Sequence, residues 1–98
     1  MHFTTHIKLS LQRALLCEVS PNLRMVTYDW DEGKQIIHIY FYFDGEVSDD
    51  NFDSAICVGG EVAGDFSEDI EVEEHCIQLD FPGRLPQDKP SVYRRKES

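Results

Sequence analysis

The sequence predicts an α+β domain in which two helices pack on one face of a mainly antiparallel sheet of three to four strands, in the order α-β-β-α-β-β. Three observations carry that expectation. Along residues 35–43, Ile37, Ile39, Phe41 and Phe43 alternate with Ile36, His38, Tyr40 and Tyr42, the period of two that marks a strand. Ile7, Leu11, Ala14 and Leu15 recur instead at helical spacing. The chain of 98 residues is 41% hydrophobic and 11% aromatic, which suits one domain over 1–98 with a modest core and does not suit a disordered acidic tail.

The first element is an amphipathic helix over residues 5–18, ended by Ser20-Pro21-Asn22. Residues 23–30 read as a strand. Asp31-Glu32-Gly33-Lys34 then supplies a turn, with Gly33 available for positive φ, and joins it to 35–43 as a β-hairpin. Asp44-Gly45 breaks the second strand. Ser48 is placed to cap a second helix with Asp49 and Asp50 in its first turn, where carboxylates favour the helix dipole. That helix runs to about residue 65. Phe52, Ala55, Ile56, Gly59, Val62, Ala63 and Phe66 form its expected buried stripe, and Asp50, Asp53, Glu61 and Asp65 the opposite one. Each glycine of Gly59-Gly60 costs a helix about 1 kcal/mol; either the helix kinks there or, the reading we favour, Gly59 permits close approach to the sheet. Residues 69–80 form a third strand. Ile70 and Val72 are out of phase there with Ile77, Leu79 and Phe81, which predicts a bulge near Glu73-Glu74. After the loop from Pro82 to Pro90, Ser91-Val92-Tyr93-Arg94 predicts a short edge strand, and the basic Arg94-Arg95-Lys96 would guard that edge against aggregation.

Charge is the strongest pointer to function. Between Lys34 and Arg84 lie 49 residues with no Lys or Arg and with 13 acids. A block without fixed cations cannot neutralise itself; it projects a negative field and selects a positively charged partner. The net charge of −10 argues against binding nucleic acid or an anionic membrane. The candidate partner-binding residues are Asp49, Asp50, Asp53, Glu61 and Asp65 on the second helix, Glu71, Glu73 and Glu74 on the third strand, and Tyr40 and Tyr42 as aromatic anchors. Tyr28 and Trp30 with His38, Tyr40 and Tyr42 form either a Tyr/Trp-rich surface or a face covered by the first helix; sequence leaves both open.

Chemistry is poorly supported. Asp49-x-Asn51-x-Asp53 begins like a calcium loop, but Ser54 stands where glycine is required and Gly60 where the closing glutamate is required. No C-x-x-C or H-x-x-x-H pair offers a zinc site, and the adjacent His75 and Cys76 point to opposite faces of a strand. Neither a G-x-S-x-G elbow nor a Walker lysine is present. We therefore expect no catalytic residues, no cofactor, no metal and no small-molecule substrate. Cys17, Cys57 and Cys76, odd in number and widely spaced, read as reduced thiols of a cytosolic protein, with Cys57 and Cys76 as small apolar fillers. No apolar run reaches the length of a membrane span, and the start of the chain lacks the pattern of a signal peptide.

Several segments resemble a known family. Asn22-Leu23-Arg24-Met25-Val26-Thr27, Asp29-Trp30-Asp31 and the run Phe41-Tyr42-Phe43-Asp44-Gly45-Glu46 are similar to small bacterial immunity proteins. Glu74-His75-Cys76-Ile77-Gln78-Leu79-Asp80-Phe81-Pro82 and Val92-Tyr93-Arg94-Arg95-Lys96-Glu97 fit the same pattern. That group comprises the cognate inhibitors of polymorphic toxins of the Maf and contact-dependent growth inhibition kind. The resemblance implies a cytoplasmic, non-enzymatic protein that binds the C-terminal domain of its toxin. With the acidic block, it leads us to expect a basic toxin domain, a nuclease, since nuclease clefts are cationic. The alternative reading is an acidic adaptor or a structural subunit of an oligomer with no toxin partner.

Overall fold

In the computed structural model, which describes residues 3–97, six elements form in the expected order. They are α1 (Phe3–Ala14), β1 (Leu23–Asp31), β2 (Ile36–Phe43), α2 (Asp49–Gly64), β3 (Glu71–Gln78) and β4 (Ser91–Arg94). The ends of the expected 1–98 domain, Met1, His2 and Ser98, lie outside the described residues.

The four strands make one sheet in the order β3-β2-β1-β4. β1 pairs antiparallel with β2 and with β4, whereas β3 pairs parallel with β2. The sheet is thus mixed. A strand beside a parallel neighbour needs a long crossover, and α2 with its flanking loops supplies it. β3 pairs with β2 in unbroken register from Ile36↔Glu71 to Phe43↔Gln78, so the bulge expected near Glu73-Glu74 does not form. The two apolar sets of β3 serve opposite faces instead. Ile70 and Val72 pack against the core beneath the helices, while Ile77 lies across from Tyr42 on the other face. The irregularities fall in β1, between Leu23 and Met25 against β2 and between Val26 and Thr27 against β4.

β2 carries the core as its alternation predicts. Ile37, Ile39, Phe41 and Phe43 are buried with Ile7, Leu11 and Ala14 of α1 and Ala55, Val58 and Val62 of α2. Tyr28 and Trp30 join this face, because they stand opposite Ile39 and Ile37 across the β1–β2 ladder. They are therefore separated from His38, Tyr40 and Tyr42, which point the other way, and do not form one aromatic surface with them. Tyr28 donates a hydrogen bond to the Thr4 carbonyl, at 3.4 Å. A second, smaller core on the opposite face joins Met25 and Tyr42 to Leu85, with Leu79 and Tyr40 packed against it.

Three local expectations are corrected. α1 starts two residues earlier than expected and ends at Ala14; a turn follows, and Cys17 takes a left-handed φ of 70° that stops further helix. In the hairpin turn, the positive φ belongs to Gln35 (56°) and not to Gly33, while the Asp31 side chain accepts from the Lys34 amide. On α2 the buried positions are Asn51, Ala55, Val58, Gly59 and Val62, and the expected core residues Phe52 and Ile56 are 46% and 59% exposed. Ala63 is exposed as well, and Phe66 is half-buried against Phe3 and His6. Gly59 marks one edge of the buried side of α2. A Cβ there would lie 2.5 Å from Glu74 Cδ, so this is where the helix comes nearest to β3. Around the helix the buried arc runs from Val58 through Asn51, Val62 and Ala55 to Gly59, and Phe52 and Ile56 stand just beyond its Gly59 edge.

The C-terminal segment is fastened by Arg24, which is only 2% exposed. Its guanidinium donates to both carboxylate oxygens of Glu97, at 2.7 and 2.9 Å, and to the carbonyls of Leu79 and Gly83. Arg95 adds bonds to Glu97, to the Pro21 carbonyl and to Asp44. A bidentate Arg–carboxylate pair fixes geometry as well as charge. Four separate parts of the chain thereby meet at one point.

Two predictions follow from this packing. Phe41→Ala should cost about 3–5 kcal/mol, as large-to-small changes in cores do, whereas Phe52→Ala and Ile56→Ala should stay within about 0.5 kcal/mol of the parent; urea unfolding of the three variants checks both. The second concerns acid. The Arg24 hydrogen bond, aided by Arg95, holds Glu97 down to about 2 from 4.5. A lowered carboxylate pKa gives stability that is complete above the unfolded value and lost as pH falls through the folded one. The gap in melting temperature between the parent and Glu97→Gln should be constant above about pH 5 and should close toward pH 2. A gap independent of pH would show that the carboxylate charge contributes nothing.

Candidate functional site

α2 begins where Ser48 Oγ accepts from the Asn51 amide at 3.1 Å, which satisfies one of the otherwise unpaired first-turn donors. Asp49 and Asp50 follow in that first turn. Outward from the sheet, α2 presents Phe52 and Ile56 one turn apart, with Asp49 and Asp53 one turn apart beside them. Asp50 and Glu61 are exposed on the same outer side, as is Cys57. The surface thus sets two large apolar side chains beside a stripe of four carboxylates. Apolar anchors with polar groups at their margin are the anatomy of a protein interface, and charge at the margin governs encounter.

The remaining candidates divide by their surroundings. Asp65 caps the C-terminal end of α2, accepts from Ser10 at 2.6 Å and pairs with Arg13 at 2.7 Å. These bonds, Ser10's first, lower its pKa, and its charge is engaged in holding α1 to α2. Asp44 is likewise paired with Arg95, and Asp80 accepts from Gln78 and from the Gly45 amide. Cations outside the acidic block therefore neutralise two of its members, which a count within the block does not register. Glu74 lies on the helix side of β3 against Gly59, where burial raises its pKa. Glu71 and Glu73 point to the opposite side and are exposed. Tyr42 is 8% exposed beneath Leu85, so the free chain offers little of it to a partner. The cover comes from the loop before β4, and not from α1. Tyr40 stays half-exposed, its ring stacked on His75 with Lys89 5.1 Å from its centroid.

The three thiols are unpaired. Cys17 and Cys57 are exposed, so Cys57 is no core filler, and half-buried Cys76 packs against the core, where burial raises its pKa. Sequence reading also missed the meeting of His38 and His75, whose Nδ1 and Nε2 approach to 3.0 Å. Parallel pairing of β2 with β3 makes it possible by placing His38 beside Glu73 and Tyr40 beside His75. The spacing Glu73-x-His75 is the one local signal, since alternate residues of a strand share a face. No segment of the sequence alone says that β3 lies next to β2. Among the described residues, no helix is long and apolar enough to cross a membrane.

Compared with known proteins, the chain matches the sequence model of the MafI2 immunity protein family over residues 4–97. No curated protein matches it.

Proposed function

We propose that this chain, which belongs to the MafI2 immunity protein family, neutralises a cognate toxin by docking the outer face of α2 on a basic toxin domain in the cytoplasm of the producing cell. The observation that carries this reading is the exposure of Phe52 and Ile56 beside the stripe of Asp49, Asp53, Asp50 and Glu61. Monomeric folds scatter single apolar side chains over their surfaces, but two large ones a turn apart beside an acidic stripe suit a partner with an apolar patch next to a cationic border. A nuclease cleft has such a border, because it must hold phosphate. Inhibition is then stoichiometric and steric, and it requires no chemistry from this chain.

On this reading the apolar pair holds the complex and the carboxylates speed its formation. Phe52 and Ile56 take the anchoring role that sequence assigned to Tyr40 and Tyr42. Glu71 and Glu73, on the far side of β3, contribute to the long-range field without touching the partner.

Stopped-flow binding to a cognate toxin domain tests the division of roles. Association should approach about 10⁸ M⁻¹s⁻¹ at low salt and slow steeply as salt rises. Asp50→Lys with Asp53→Lys should lower k_on and leave k_off nearly unchanged. Phe52→Ala and Ile56→Ala should each raise k_off by about tenfold or more, at unchanged thermal stability. Salt-independent association with all three variants equal to the parent would remove α2 from the interface.

A further inference from the structure

We infer that His38, Glu73 and His75 form a binding site for a borderline divalent transition metal of the Zn²⁺ class, on the sheet face away from the helices. The ligand atoms of the three residues lie within 4.8 Å of one another, and each offers one donor. All three sit on regular strands whose pairing is uninterrupted, so their backbone positions are fixed before any ion arrives. Preorganisation of this kind is what separates a site from three ligands that merely pass near each other. A set of two imidazoles and one carboxylate suits Zn²⁺ and its first-row neighbours; Ca²⁺ and Mg²⁺ prefer all-oxygen shells. Three protein ligands leave one tetrahedral position open to water or to a group from outside the chain.

The distances are compatible with an ion. With Zn–N bonds of about 2.0–2.1 Å, two nitrogens in tetrahedral coordination stand about 3.3 Å apart. His38 Nδ1 and His75 Nε2 are 3.0 Å apart, so the rings need to part by only a few tenths of an ångström as the ion displaces the shared proton. Tyr40 holds the His75 ring from one side, its centroid 4.7 Å away at an interplanar angle of 15°. Charge around the site favours a cation. Asp29, paired with His38 across the β1–β2 ladder, and Glu71, two residues before Glu73, share this face, while the nearby cation Lys89 is bonded to Asp88. A bound ion would tie edge strand β3 to β2 side chain to side chain. This inference is independent of the proposed docking by α2, since the site lies on the other face of the sheet.

Equilibrium titration of the chain, freed of any histidine tag and stripped with chelator, tests it. Zn²⁺ in competition with a chromophoric chelator should bind at one equivalent per chain, and Co²⁺ should give the intense d–d absorption of a tetrahedral site. Loss of an outer-shell partner typically weakens a metal site 10–100-fold, so His38→Ala and His75→Ala should each weaken binding by more than about 100-fold. Cys57→Ser should change nothing. Should a histidine variant fail to fold, imidazole ¹⁵N signals of the parent decide: His38 and His75 should shift on adding Zn²⁺, and His6 should not. Equal binding by the parent and a folded histidine variant, or shifts confined to other residues, would overturn the site and leave a His–His hydrogen bond alone.

Discussion

The structure depends on the parity of one interior strand. β2 lies between β1 and β3, so both of its edges are paired and its side chains must choose between two faces. Ile37, Ile39, Phe41 and Phe43 take the helix side, and that choice assigns every neighbour. Tyr28 and Trp30 go inward because they face Ile39 and Ile37. Val72, Glu74 and Cys76 go inward because they face Ile37, Ile39 and Phe41. His38, Glu73 and His75 are left on the other face, where they meet. A slip of one residue would put four large apolar side chains in the open and scatter the histidine pair.

Much of this was legible in the sequence, and the misses share a cause. The alternation of residues 36–43, the Ser48 cap, the hairpin and the short last strand are local patterns, and each forms where its residues predict. What failed was what one segment imposes on another. A hydrophobicity reading of α2 chooses Phe52 and Ile56 for the core, because they are larger and more apolar than Asn51 and Val58. The fold decides otherwise: the buried arc of α2 ends at Gly59, packed against Glu74 of β3, and Phe52 and Ile56 fall just outside it. Gly59 signals a close approach in the sequence, but where the buried arc stops depends on the strand beneath, which the sequence does not identify. Likewise the out-of-phase apolar residues of β3 suggest a bulge only if one face is buried. An edge strand half-covered on both faces accommodates them without one. Of the candidate partner residues, Tyr42 and Asp65 look available until the loop carrying Leu85 and the side chain of Arg13 are in place.

Those long-range contacts also sort the acidic residues by task. Asp44, Asp65, Asp80 and Glu97 fasten loops and termini, each through bonds to a cation or a backbone amide. Asp49, Asp50, Asp53 and Glu61 bond to none of the described cations and form a stripe beside two apolar side chains that the fold leaves uncovered. On the proposed docking, structural work and recognition are carried by different carboxylates. A chain in a family of immunity proteins gains from that separation, because the recognition surface can change to follow a toxin while the clamp at Arg24 and the β2 core stay as they are.

The central claim, that the outer face of α2 is the surface covered by the partner, can be tested with the chain's own thiols. Cys57 is exposed on that face, and Cys17 is exposed beyond the end of α1. Alkylation with iodoacetamide, followed by mass spectrometry, should modify both in the free chain. In the inhibited complex with the toxin domain, Cys57 should be protected while Cys17 reacts at its original rate. Full reactivity of Cys57 in a complex whose toxin is inhibited would contradict the account.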